Sequence, residues 1–105
     1  MAGSRTRNII VQTPMTYVLL YDVVDDMVNR RTPYRAEHLQ LIREGHERGE
    51  IVMAGAVGDP VDGAVLVFRA DSPALAEKFV MADPYVKHGL VIRWKVKPWA
   101  LVAGG

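Results

Sequence analysis

The segment Thr16-Tyr-Val-Leu-Leu-Tyr-Asp-Val-Val24 decides the fold. It is rich in β-branched and aromatic residues, which favour extended chain. Its odd positions (Tyr17, Leu19, Tyr21, Val23) are apolar, and so are the even positions Val18 and Leu20. A strand apolar on both sides sits in the middle of a sheet with both faces covered. The next strand-like run that is apolar on both faces is Ala64–Ala70, broken only by Arg69. By contrast, Ile51–Val57 is short and loosened by Gly55. Val91–Val96 alternates, with Ile92, Trp94 and Val96 against Arg93, Lys95 and Lys97. One-sided, charged strands belong at sheet edges.

Between these strands lie two helical patterns. Asp25–Arg31 reads as a loop, after which Thr32-Pro33 is a helix start. Thr32 is suited to capping free N–H groups, and Pro33 suits a first helical position, which needs none. Ala36, Leu39, Leu41 and Ile42 then recur at helical spacing to about Arg48, and Gly49 is the stop. Gly45 inside this pattern costs about 1 kcal/mol against alanine and points to close packing. Asp71-Ser72-Pro73 repeats the cap-then-proline start, followed by a stripe of Leu75, Ala76, Phe79 and Val80. Pro84 ends that helix, and Pro84–His88 reads as one further turn closed by Gly89. Gly58-Asp59-Pro60 and Asp62-Gly63 are turn chemistry.

The order β-α-β-β-α-β is the split βαβ, or ferredoxin-like, pattern. It gives an α+β domain: a four-stranded antiparallel sheet, first and third strands central, two helices on one face. The two helices leave the other face of the two-sided central strands uncovered. A homodimer is the expected cover.

A chain of 105 residues is of single-domain size and buries about 65% of its unfolded surface. Residues 15–105 are read as that domain. Residues 1–14 precede the first patterned segment and are read as an N-terminal arm, with an added strand or an over-extended start as alternatives. Cysteine is absent, which excludes disulfides and thiolate metal sites. A net charge of +1 leaves no electrostatic footprint for nucleic acid. No stretch approaches the roughly 20 apolar residues of a membrane span, and the start does not read as a signal peptide. A cytoplasmic location is the default.

The chemistry-bearing residues are few. Of three histidines, His38 lies one helical turn after Arg35 at the margin of the buried stripe. A histidine held there suits general acid or base work, although a half-buried, hydrogen-bonded histidine is the commoner occupant of such a position. His46, two turns on, reads as solvent-facing. Asp83, before Pro84 and Tyr85, is first a helix cap, and alternatively a carboxylate that orients a histidine. Spacing alone does not link Asp83 to His38. No metal-ligand spacing and no phosphate loop is present. Trp94 and Trp99 read as core and tail anchors, with Trp94 also placed to wall a pocket.

The run Arg35-Ala-Glu-His38-Leu39, the strand entry Gly49-Glu-Ile-Val-Met-Ala-Gly55, Asp83-Pro84-Tyr85-Val86 with Gly89-Leu90, and the closing Val96-Lys-Pro98-Trp99 resemble the YciI-like (YCII-related) family. The resemblance spans Met15 to Trp99. It implies a dimeric α+β barrel of ferredoxin-like protomers and a site centred on His38 and Asp83. Arg35 falls where many relatives carry arginine, and Tyr85 belongs to the Asp83 motif, so both are expected at the substrate. Relatives include an enzyme that removes chloride from a chlorinated hydroxyhydroquinone. This chain departs from the pattern at the pocket rim: Ala56 follows Gly55 where proline is frequent, and the Val57–Asp62 loop is short.

The expected function is therefore proton transfer on a small oxygenated or phenolic molecule, of lyase, isomerase or hydrolase-like type. His38 would be acid or base, Asp83 its orienter, and Arg35, Tyr85 and Trp94 the substrate contacts. No metal or cofactor is called for. The alternative is a non-catalytic small-molecule-binding or accessory module, and a heme-free monooxygenase of the related barrels ranks third. The His38–Asp83 separation discriminates: hydrogen-bond contact beside an open cavity favours catalysis, and a filled, dry site favours a structural role.

Overall fold

A computed structural model describes residues 15–104; the arm read at 1–14 lies outside them. The elements run β1 (Met15–Val23), α1 (Met27–Arg30), a 3-10 turn (Thr32–Tyr34), α2 (Arg35–Glu47), β2 (Ile51–Val57), β3 (Gly63–Ala70), α3 (Ala74–Ala82), α4 (Pro84–Lys87) and β4 (Val91–Pro98). The four strands form one sheet in the order β2-β3-β1-β4, every pair antiparallel. The split βαβ topology, its central strands and its edges are as the hydrophobic patterns require. No helix among the described residues is long and apolar enough to cross a membrane.

The core lies between this sheet and the helices. Tyr17, Leu19, Tyr21 and Val23 of β1 are buried, and Leu66 and Phe68 lie beside them on β3. Ala76, Phe79 and Val80 of α3 close over that layer. The opposite face carries half-buried Val18, Leu20 and Val65, with exposed Met53 and Val57 on the edge strand. Val67 on the same face is buried, while Val18, Leu20 and Val65 stay only half-buried among the described residues.

Four local expectations are corrected. The Asp25–Arg31 loop contains a helical turn, α1, because Met27 is drawn into the core and is only 3% exposed. Thr32 makes no capping bond; α2 starts at Arg35, after a 3-10 turn that carries Pro33. The buried line of α2 is His38 and Gly45, with Leu41 and Ile42 half-buried, while Ala36 is exposed. His38 is therefore at the centre of the packed face, not its margin. On β4 the alternation is interrupted by a register shift at Asp22/Val23, and Ile92 is turned out to 62% exposure.

Two glycines have steric reasons. A Cβ on Gly45 would lie 2.6 Å from Ile51 Cδ1, so α2 meets β2 where only hydrogen fits. Gly49 ends the helix region with φ +79, a left-handed conformation that glycine adopts at little cost.

Candidate active site

Asp83 is the residue on which the site is organised. It sits between α3 and α4 with extended backbone, because Pro84 disfavours helical angles in the residue before it. Its carboxylate is fully buried and accepts three hydrogen bonds. The Tyr85 N–H donates to Oδ1 at 3.0 Å, as a helix cap requires. The Tyr21 hydroxyl donates to Oδ2 at 2.7 Å, and His38 Nδ1 lies 2.8 Å from Oδ1. The capping and histidine-orienting roles are thus filled by one carboxylate.

His38 reaches Asp83 from α2, a separation of 45 residues in the chain. The Tyr85 ring stacks on the imidazole at 3.7 Å between centroids, 11° from parallel. Phe79 meets it edge-on at 6.3 Å. Nδ1 is committed to Asp83, whereas Nε2 has no protein partner among the described residues. The imidazole is thereby fixed in plane and in rotation, with one nitrogen left for a ligand.

Burial pushes the Tyr21 hydroxyl well above the ordinary tyrosine range, and the charge of Asp83 and its hydrogen bond push it further. Tyr21 therefore remains a neutral donor when folded, while in the unfolded chain it ionises above about pH 10. Its contribution to stability is full below that pH and is lost as pH rises above it. Tyr21→Phe should cost about 1–3 kcal/mol at neutral pH, since it leaves the buried carboxylate one donor short. It should also flatten the alkaline loss of stability by about 1.4 kcal/mol per pH unit above pH 10. Urea unfolding across a pH series measures both.

His38 forms part of the wall of an open cleft of about 270 Å³ between α2 and the β2–β3 side of the sheet. Tyr21, Arg31, Arg35 and Tyr85 share that wall with small aliphatic residues. Ala56, Gly55 and Val61 lie on it too, so the family departures do fall at the pocket. Trp94 does not line the cleft; it packs half-buried from the far edge strand β4, where it pairs with Tyr21. Sequence reasoning passed over Tyr21 and Arg31. The first reads as an ordinary core tyrosine on a strand, and the second as the end of the Asp25–Arg31 loop. His46 donates to or accepts from nothing in the cleft; its Nδ1 lies 2.8 Å from the Ile51 carbonyl and ties α2 to β2. No group of three or more acidic, histidine or cysteine side chains that could hold a metal occurs among the described residues.

Comparison with known proteins agrees with this architecture. The chain is 28% identical over 97 aligned residues to Protein YciI of Escherichia coli and of Shigella flexneri, covering 84% of this chain and 99% of theirs. Among solved structures it resembles 5-chloro-2-hydroxyhydroquinone dehydrochlorinase (TftG) of Burkholderia phenoliruptrix in complex with 2,5-dihydroxybenzoquinone. That match has a TM-score of 0.68 at 22% identity, covering 82% of this chain and 94% of TftG. Such a likeness speaks for a shared fold, here the α+β sheet with helices on one face. The model of the YCII-related domain matches residues 15–100, nearly the whole described chain, and the protein belongs to the YCII-related family.

Proposed function

We propose that the cleft is the active site of a small-molecule enzyme in which His38 transfers a proton and Asp83 orients it. The observation that carries this reading is the 2.8 Å contact between His38 Nδ1 and a fully buried carboxylate, on the wall of an open cleft. A filled, dry site would have spoken for structure alone. With Nδ1 tied to Asp83, Nε2 removes an acidic proton from the ligand, and the carboxylate stabilises the imidazolium that forms. Tyr21 and the Tyr85 N–H hold the carboxylate, and the Tyr85 ring holds the imidazole plane. Arg35 steadies an oxyanion of the substrate.

The substrate class proposed is a small phenolic or enolic compound. The reaction is elimination or isomerisation, which share that first proton removal. A structural neighbour named as a dehydrochlorinase, with a dihydroxyquinone bound, supports that class. The chemistry asks for a positioned base and an oxyanion partner, both supplied by side chains. The test is a screen of hydroxylated and chlorinated hydroquinones for ultraviolet change and chloride release, repeated with His38→Asn. A substrate turned over equally well by that variant would sink the reading.

We also propose that the chain acts as a homodimer through the face of Val18, Leu20 and Val65. Burying that apolar surface against a second copy is favourable, and among the described residues these side chains stay only half-buried. Equilibrium sedimentation should give twice the 11.7 kDa chain mass, and Leu20→Asp should shift it to monomer. A wild-type protein that stays monomeric at high micromolar concentration contradicts this.

A further inference from the structure

We infer that Arg31 makes the cleft selective for a one-ring organic acid, whose carboxylate or equivalent anionic oxygen it receives in the cleft that His38 also lines. The inference rests on the proposed active site and names the substrate's charge. Three observations carry it. The lining of the cleft contains Arg31, Arg35 and His38 but no aspartate or glutamate. Neither arginine has an ion pair among the described residues. Arg31 lines the cleft, is only half-buried, and its side chain donates no hydrogen bond to the protein among the described residues.

The physical consequence is direct. Arg31 Nε and Tyr85 Oη are out of reach of solvent and hence of a ligand in the cleft. The terminal N–H groups of half-buried Arg31, which make no protein hydrogen bond among the described residues, are the donors left for an anion. Arginine presents its donors as a planar fork that matches a carboxylate. The remainder of the wall is apolar, including Met27, Leu39, Ile42 and Leu66, and suits a hydrocarbon ring. The cleft volume of about 270 Å³ exceeds the roughly 150 Å³ that suffices for benzene. It therefore takes one substituted ring. Arg31 owes its position to α1: its N–H donates to the Met27 carbonyl at 2.9 Å, and buried Met27 fixes that turn.

The test compares 2,5-dihydroxybenzoate with its methyl ester, a pair that differs in the anionic group. In calorimetric titrations of the wild-type chain the acid should bind at least about 10-fold more tightly than the ester, and the preference should shrink with added salt. Arg31→Gln should weaken acid binding by about 10- to 100-fold, the range for a charge-assisted hydrogen bond. The same variant should leave the ester within about 2-fold. Arg31→Lys should recover only part of the acid preference, because lysine keeps the charge but lacks the fork. Equal affinity of acid and ester, a preference that survives in Arg31→Gln, or no binding of either at millimolar concentration overturns the inference. Failure of the acid–base reading is separately visible. An Arg31-dependent preference together with turnover indifferent to His38→Asn upholds this inference and removes that reading.

Discussion

Replacing His38 with asparagine should lower kcat on any substrate the screen reveals by about 10²- to 10⁴-fold, the span that a positioned acid or base contributes. KM should change little, because the proton leaves the ligand only in the transition state. The fold should survive the change. Asp83 keeps the Tyr21 hydroxyl and the Tyr85 N–H as donors, and asparagine has a donor of its own near the lost Nδ1. Steady-state kinetics with circular dichroism of the same sample checks both halves. A fall in kcat accompanied by a molten chain would say nothing of catalysis, so the far-ultraviolet and thermal profiles must match wild type.

Asp83→Ala should have the largest effect on stability of any single change in the site. The residue is completely inaccessible to solvent, and its removal strands a phenol, an imidazole N–H and a backbone N–H inside the core. Breaking a buried charged network in this way costs about 3–5 kcal/mol. For a domain of this size each kcal/mol is worth at least about 4 °C, so Tm should drop by at least about 12 °C. Asp83→Asn separates stability from chemistry. Its amide keeps the shape and one acceptor oxygen, and Tm should fall by much less. The Tyr85 N–H and His38 Nδ1 both meet Oδ1, so the amide oxygen takes that place and the NH₂ faces the Tyr21 hydroxyl; what the variant removes is the negative charge that stabilises the imidazolium. Turnover should then fall while most of the stability is kept. Thermal denaturation and kinetics of the two variants side by side decide the matter: equal Tm for Asp83→Ala and wild type would refute the network's structural role.

Strand order and helix placement were legible because hydrophobic period reports burial directly. Val18 and Leu20 inside an already apolar β1 mark a central strand, and the lysines of β4 mark an edge. The same logic failed where a single contact overrides the pattern. Met27 pulls Asp26–Arg31 into a turn that composition reads as loop. The register shift at Asp22/Val23 turns Ile92 outward although the alternation places it inward. His38 and Asp83 are 45 residues apart, and no periodicity within one element connects two elements; only the resemblance of motifs joined them. Arg31 and Tyr21 carried no local signal at all. The chemistry of Arg31 depends on the absence of carboxylates around the cleft, and that of Tyr21 on a partner 62 positions away. Both are properties of the assembled site.

The account stands on Asp83 holding the His38 proton at Nδ1 so that Nε2 faces the cleft as a base. The most direct measurement is ¹⁵N nuclear magnetic resonance of the chain labelled at histidine, with His38→Asn identifying its signals. The account predicts a protonated Nδ1 and a pyridine-like Nε2 in the free protein, with Nε2 shifting when a phenolic acid binds. A proton on Nε2 and an unprotonated Nδ1, unchanged by ligand, would contradict it.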